Sequence, residues 1–221
     1  AEHPHTYAYL EVMDSWLKDH GMPPITRVWY TTKDGERLTL EQECLRSGSL
    51  PSIAYGHKKC SLKHKVTPQE KFCNHHPGCR DAWAKGEKVV KLIGYDAGEE
   101  RRRTKALPHD LQDPKYRKEY PLMDWGWYRG DCIQAIQSAG LPLPGKSSCF
   151  FCPSMKPREI RTLYHQYSEL LERALAIEDN ARPNLRTVRG LGRDFAWRDF
   201  ILADDCLLYT SDAADDTPCV D

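Results

Sequence analysis

The sequence predicts an α/β fold: an open, mostly parallel sheet with flanking helices, followed by a helical C-terminal part. Three observations predict it. β-rich runs at residues 25–30 and 89–93 alternate with stretches of helical spacing. A Gly-bounded loop at residues 94–98 follows the second run, as loops follow the carboxyl ends of parallel strands. From Pro157 onward, Ile160, Leu163, Tyr164, Tyr167, Leu170, Leu171 and Ala174 keep a helical period. At 221 residues the chain is long enough for one such domain with a sizeable core.

The elements follow in order. Residues 4–20 form an amphipathic helix with Leu10, Met13 and Leu17 on one face, stopped by Gly21, Pro23 and Pro24. Residues 25–30 read as a strand because Ile, Thr, Val, Trp and Tyr crowd into six positions. Thr39-Leu-Glu-Gln42 and Thr67-Pro-Gln-Glu70 each read as the start of a helix with a capping box. Val89-Val-Lys-Leu-Ile93 reads as a buried strand. A helix over residues 129–139 ends at Gly140. One long helix starts at Pro157. Beyond Asn180, Arg189-Gly-Leu-Gly-Arg193 reads as a loop before a terminal helix, with a close approach to phosphate as the alternative.

Composition narrows the chemistry. No apolar run is long enough to span a bilayer and no signal peptide opens the chain, so no membrane partner is expected. Nine cysteines in such a chain fit a reducing, cytoplasmic setting, where metal ligands or catalytic thiols compete with buried inert thiols as the explanation. Residues 206–221 resemble translated sequencing-adapter read-through, and the chain opens at Ala1 without a methionine; the domain is therefore expected to occupy residues 1–205. Leaving out Asp212, Asp215, Asp216 and Asp221 lowers the acidic count from 32 to 28 against 32 basic residues, a body charge of +4.

Gly140-Leu-Pro-Leu-Pro-Gly145-Lys146-Ser147 satisfies the written pattern of a phosphate-binding loop. The physics excludes it. Such a loop cradles phosphate with backbone N–H groups between a strand and a helix. Pro142 and Pro144 remove two of those donors, each worth roughly 1.5–3 kcal/mol to a charged ligand.

Cys149-Phe-Phe-Cys152 has the spacing that lets two thiolates reach one metal. Cys60 and Cys132 are the candidates to complete a set of four, which would suit zinc or a [4Fe–4S] cluster equally by ligand type. A redox pair and plain buried thiols are the other readings. Cys73-Asn-His75-His76-Pro-Gly-Cys79 also offers ligand types, but its spacing matches no standard finger, and surface histidines beside a turn explain it better. Two basic clusters stand out: Lys58, Lys59, Lys63 and Lys65, and Arg101, Arg102, Arg103 and Lys105. The second follows the strand at 89–93, where open α/β sheets bind ligands, so an anionic phosphate or sulfate is its candidate partner and a solvated charged face the alternative.

Taken in order, these pieces resemble the phosphoadenosine phosphosulfate reductase-like proteins of the adenine nucleotide alpha-hydrolase (PP-loop) superfamily, especially those of phage and environmental sequences. Glu2-His-Pro-His-Thr6-Tyr7 resembles the segment after that family's second strand. Cys60-Ser-Leu-Lys-His-Lys65-Val-Thr-Pro68 is similar to its Cys-x-x-x-(Arg/Lys)-Lys-x-x-Pro element. Ile93-Gly94-Tyr-Asp96-Ala-Gly98-Glu99 through Arg102 resembles its Gly-rich loop. Tyr120-Pro-Leu, Trp125 and Asp131 followed by Cys149-x-x-Cys152 resemble its closing module. The resemblance covers residues 1 to about 205 and implies a Rossmann-like sheet lacking its first strand and pyrophosphate loop. It implies a nucleotide substrate, ATP or an adenylated sulfur compound, held by Lys65 and Arg102 with Gly94 and Asp96. It also implies one [4Fe–4S] cluster or zinc on Cys60, Cys132, Cys149 and Cys152, inside an anion- and metal-site region spanning residues 60–153.

The chain departs from the family in three places. It has no Ser-Gly-Gly-x-Asp-Ser loop, so the fragment is expected to be inactive by itself. Cys60-Ser61 stands where cluster-bearing members have adjacent cysteines. The nucleophilic C-terminal cysteine of sulfonucleotide reduction has counterparts only at Cys206 and Cys219, in the tail. Two further functions fit the same residues: a sulfurtransferase of the superfamily, modifying DNA or tRNA with a thiol-carrier protein as partner, and a non-catalytic zinc-stabilised module binding nucleic acid.

Overall fold

The computed structural model describes residues 2–203; the tail, including Cys206 and Cys219, lies outside the described residues. Helix and strand are mixed, with 58 % helix and a two-stranded parallel sheet, so the α/β expectation holds only in that coarser form. The chain divides into two compact units, each assembled from separate segments.

The first unit comprises Ala1–Tyr7, Arg27–Pro68 and Lys146–Asp221. Its core gathers Cys44 and Leu50 with Phe150, Phe151, Ile160, Leu163, Leu171, Ile177, Leu191 and Trp197. Helix Leu40–Ser47 starts with the predicted capping box: the Gln42 N–H donates to Thr39 Oγ1 (3.2 Å) and the Thr39 N–H to Gln42 Oε1 (2.9 Å).

Helices Pro157–Gln166 and Ser168–Ala181 replace the single long helix that the sequence predicts. Tyr167 leaves helical geometry at φ −143° and ψ 54°. Hydrogen bonds on both sides of Tyr167 are kept. The Tyr167 N–H still donates to the Leu163 carbonyl (2.9 Å), and its own carbonyl accepts from Leu170 (2.9 Å) and Leu171 (3.1 Å). The apolar period runs through the break unchanged, which is why spacing cannot reveal it.

The turn after residue 188 is held by one buried side chain. Glu178 is 0 % exposed, and its carboxylate accepts the N–H groups of Leu191 (2.7 Å), Trp197 (2.9 Å) and Arg198 (3.1 Å). Gly190 is required by closeness: a Cβ there would stand 2.6 Å from Ala196 Cα and press on the Glu178 carboxylate. Arg189-Gly-Leu-Gly-Arg193 is therefore a tight bridged turn, Gly190 pairing with Arg193.

The second unit comprises Ala8–Thr26 and Gln69–Gly145. Strands β1 (Val89–Leu92) and β2 (Tyr116–Glu119) pair in parallel, Val89 opposite Tyr116 and Leu92 opposite Glu119. Helix Glu100–Gln112 makes the crossover between them. The strand expected at 89–93 is present but not buried: Val90 is 41 % and Leu92 68 % exposed. With one neighbour, β1 covers only half of its surface. Tyr116 and Tyr120 are the buried hydrophobic residues of this unit among those described.

Two further expectations fail. Residues 25–30 form no strand: the Ile25 N–H donates to Asp14 Oδ1 (2.7 Å), and the Tyr30 carbonyl accepts the Leu38 N–H (3.2 Å) beside a bridge of Thr31 and Arg37 around Asp34-Gly35. Thr67 opens an α-helix, but not as the capping-box start of a separate one. Lys59–Ser61 passes through a π-helical turn, Leu62–Val66, into Thr67–His75. The wide turn reconciles the helix with Pro68, which lacks an N–H: the Thr67 N–H reaches back five residues to the Leu62 carbonyl just ahead of it.

Replacing the buried carboxylate tests this description. Glu178→Ala strands three backbone donors and should lower the unfolding free energy by about 3 kcal/mol or more, read from the urea midpoint. A change below about 0.5 kcal/mol, the range of unexceptional surface sites, would refute the role given to Glu178.

Candidate functional site

In the first unit the Cys149-Phe-Phe-Cys152 turn is anchored by its middle. Phe150 and Phe151 are buried at 2 % and 0 %, rings 4.9 Å apart and edge to face, while both thiols remain half-buried. The Cys152 N–H closes the turn on the Cys149 carbonyl (3.1 Å) and Met155 continues it on Cys152 (2.9 Å). The chain's first residues lie along it: Glu2 bridges Cys149 in antiparallel sense, and the His3 N–H donates to the Ser148 carbonyl (3.1 Å).

Lys65 arrives here from the π-helical turn. Its ammonium meets Glu2 Oε1 at 2.7 Å. Burial alone would lower the Lys65 pKa, but the Glu2 bond and the nearby Cys149 and Cys152 raise it, so Lys65 stays charged. Burial pushes the Cys149 thiol up to about 12, with the Glu2 carboxylate adding to the rise and Lys65 opposing it. Glu2 Oε2 is buried without a hydrogen-bond partner. Cys60 sits at the head of its helix with its N–H on Ser52 Oγ (2.8 Å).

Sequence reasoning did not single out Cys44, whose buried thiol is pushed up to about 12 and lies within electrostatic reach of Cys60 and Cys149. No spacing could have pointed to it, because Cys44 reaches that neighbourhood through the packing of its helix. Cys132 belongs to the second unit, on helix Arg129–Ser138, where the Tyr128 N–H donates to Asp131 Oδ2 (2.8 Å). The predicted ligands thus divide three and one between the units. Among the described residues no group of three or more His, Cys, Asp or Glu side chains is arranged to hold a metal ion.

In the second unit, Gly94, Asp96 and Arg102 do stand at the carboxyl end of β1, as expected. Their roles there are partly structural. Asp96 Oδ1 accepts the Gly98 N–H (2.9 Å) and Glu99 Oε2 accepts the Asp96 N–H (3.4 Å), a capping box that starts the crossover. Arg102 pairs with Glu99, and its guanidinium lies 4.0 Å over the Tyr95 ring. Arg103 lies 5.4 Å over Tyr120, whose hydroxyl donates to Asp110. Gly94 has no atom within 4 Å of where a Cβ would be, so the backbone is open to an approaching group.

The Gly140–Ser147 stretch forms no phosphate loop: no helix follows it, and the Lys146 ammonium is bound to both Glu159 oxygens (2.8 and 2.9 Å). No protein-family model, curated protein or solved structure matches the chain.

Asp110 gives this end of the second unit an acid-sensitive tie. Burial would raise its pKa, but hydrogen bonds from Lys118 (2.7 Å) and Tyr120 outweigh burial and hold the carboxyl below its ordinary value. A carboxylate whose folded-state pKa is depressed stabilises the fold above its unfolded value and loses that contribution as pH falls through the folded one. Asp110→Asn should therefore lower thermal stability at pH 7 and leave it nearly unchanged near pH 2. An equal loss at both pH values would contradict the assignment.

Proposed function

We propose that the chain is a nucleotide-binding protein of the phosphoadenosine phosphosulfate reductase-like kind, acting on ATP or an adenylated sulfur compound. The observation that carries this reading is the parallel β1–crossover–β2 unit. Its loop sets Gly94 and Arg102 beyond the carboxyl end of β1, where open parallel sheets take anionic ligands. The first unit has a fixed cation of its own, Lys65, charged and about half exposed. Both cations already carry a carboxylate partner, Glu2 for Lys65 and Glu99 for Arg102. An incoming phosphate or sulfate has to displace or share that partner, which favours dianionic groups over single charges. The rest of the open Rossmann-like sheet belongs to this reading.

Cys60, Cys132, Cys149 and Cys152 are the residues proposed to hold zinc or a [4Fe–4S] cluster. When bound, such a group would supply positive charge or an electron. The chain's own contribution is to keep Cys149 protonated until a metal displaces its proton. Anaerobic reconstitution with iron and sulfide, or with zinc, should give about one site per chain by elemental analysis, and Cys149→Ser should abolish most of it. Stoichiometric metal that survives in Cys149→Ser would remove this residue from the site.

Titration calorimetry at low ionic strength tests the nucleotide reading. Binding of ATP or adenosine 5′-phosphosulfate should be weak, since the chain has no Ser-Gly-Gly-x-Asp-Ser loop. Lys65→Ala and Arg102→Ala should each weaken it about tenfold or more, the loss of one charge-assisted hydrogen bond. Binding that ignores both substitutions would eliminate the proposed anion contacts.

A second reading is favoured by one observation. Trp125 and Tyr128 are 62 % and 60 % exposed on the unit that carries Arg101, Arg102 and Arg103. Exposed aromatic faces with arginines suit single-stranded nucleic acid. Steeply salt-dependent affinity for an oligonucleotide, lost in Trp125→Ala, would select it over the mononucleotide reading.

A further inference from the structure

A cavity of about 620 Å³ lies within the first unit, in the size range of small-molecule sites. Buried Cys44, Leu50 and Pro51 line it, together with Leu40 and the Tyr30 ring. The chain around it is pinned by hydrogen bonds. The Leu50 N–H donates to the Tyr55 hydroxyl (3.4 Å), the Cys60 N–H to Ser52 Oγ (2.8 Å), and Ser52 Oγ to the His57 carbonyl (3.3 Å). Neither Lys65 nor Arg102 lines this cavity, so it stands apart from the proposed nucleotide contacts.

The charges on the lining are not equivalent. Glu43, its one acid, is occupied on both oxygens: Oε1 meets Lys63 Nζ at 2.8 Å and Oε2 meets His64 Nε2 at 2.6 Å. Lys63 is held twice, by Glu43 and by the Tyr30 ring, whose centre lies 4.7 Å from its ammonium. Lys59 is exposed and has no hydrogen bond, ion pair or ring contact among the described residues. The lining thus offers one uncommitted positive charge and no uncommitted negative one. The π-helical turn Leu62–Val66 produces this arrangement, and such turns recur at functional sites. It carries Lys63 and His64 onto Glu43 and leaves Leu62 on the lining, 57 % exposed, with its apolar side chain largely in water.

We propose that this cavity binds a small organic monocarboxylate with an apolar body. The carboxylate pairs with Lys59, and the body lies against Leu40, Leu50, Leu62 and the Tyr30 ring. Burial of the body and of the Leu62 side chain drives association, and the head group selects the ligand. One uncommitted cation matches one negative charge. A cationic ligand would have to displace Lys63 or His64 from Glu43, and a neutral one would leave Lys59 unanswered.

Hexanoate is the probe, with hexanol and hexylamine as controls of equal length, and the readout is alkylation of Cys60, which lines the cavity and is half-buried. The full chain is kept metal-free with a chelator, because Cys60 also belongs to the proposed metal set; failure of this test leaves the metal and nucleotide readings standing. After timed iodoacetamide treatment, cleavage following Glu43 and Glu70 gives one peptide, residues 44–70, in which fragmentation separates Cys60 from Cys44. Hexanoate should slow Cys60 about fivefold or more at saturation, since a small-molecule site buries most of its ligand, while Cys132 is unaffected. Half-protecting concentrations are then compared, so that a change in the reactivity of Cys60 itself does not enter. That of hexanoate should lie in the millimolar range, as suits so small a ligand, with hexanol and hexylamine needing about tenfold more. Lys59→Met should raise the hexanoate value about tenfold and leave that of hexanol unchanged. Leu62→Glu, at an exposed position, should abolish hexanoate protection. Equal protection by all three compounds overturns the proposal, as does a hexanoate value unmoved by Lys59→Met. Equal slowing at Cys132 overturns it too, and so does an unprotected Cys60 in hexanoate up to about 50 mM.

Discussion

The carboxylate of Glu178 is the constraint on which the first unit depends. It sits inside helix Ser168–Ala181, fully buried, and accepts three backbone donors from a segment thirteen to twenty residues further on. Two of those donors, Trp197 and Arg198, open the helix at 197–203, where N–H groups have no partner within their own helix. Glu178 thus caps that helix from a distance, with its negative charge against the positive end of the helix dipole. Leu191, Trp197 and Ile201 reach the core by this route. The same core holds Phe150 and Phe151, so the placement of the thiols on either side of them depends on a carboxylate that takes no part in their chemistry.

The second unit is built on different terms. It buries little apolar surface, and its order comes from backbone ladders and from cations laid over aromatic rings. Lys91 covers Tyr116, Lys115 covers Trp83 at 4.7 Å, Arg102 covers Tyr95 and Arg103 covers Tyr120. Long basic side chains cover rings with their stems while their charges stay near water. A surface organised in this way holds positive charge at fixed positions, which suits an anionic ligand better than a random charged face does. The cost is that β1 stays open along one edge and much of one face, with Leu92 and Leu111 at 68 % and 72 % exposure.

In both units carboxylates sit beside cations, and in the first unit beside a thiol as well. Glu2 holds Lys65 in place and stands next to Cys149, while Glu99 holds Arg102 and completes the capping box of Asp96. In both places an acid from nearby structure sets how available a cation is. Neither cation is a free charge: each already has a carboxylate in position.

Local chemistry was legible in the sequence wherever it is decided within a few residues. The Thr39 capping box, the helix ending before Gly140, the parallel strand at 89–92 and the inability of Gly140–Ser147 to cradle phosphate all follow from propensity, hydrogen-bonding capacity and missing N–H groups along short stretches. Tertiary structure decided whatever needs a partner from elsewhere in the chain. Residues 25–30 have strand composition, yet the Ile25 N–H goes to the Asp14 side chain rather than to a ladder. The apolar period from Ile160 to Ala174 is the same for a straight helix and for one broken at Tyr167, because the break leaves the spacing of apolar residues along the chain unchanged. Cys44 joins the neighbourhood of Cys60 and Cys149 through helix packing that composition and spacing do not encode. Propensity acts through neighbours along the chain, whereas the grouping of thiols, burial and the Glu178 cap depend on distances in space that are fixed only when separate segments meet.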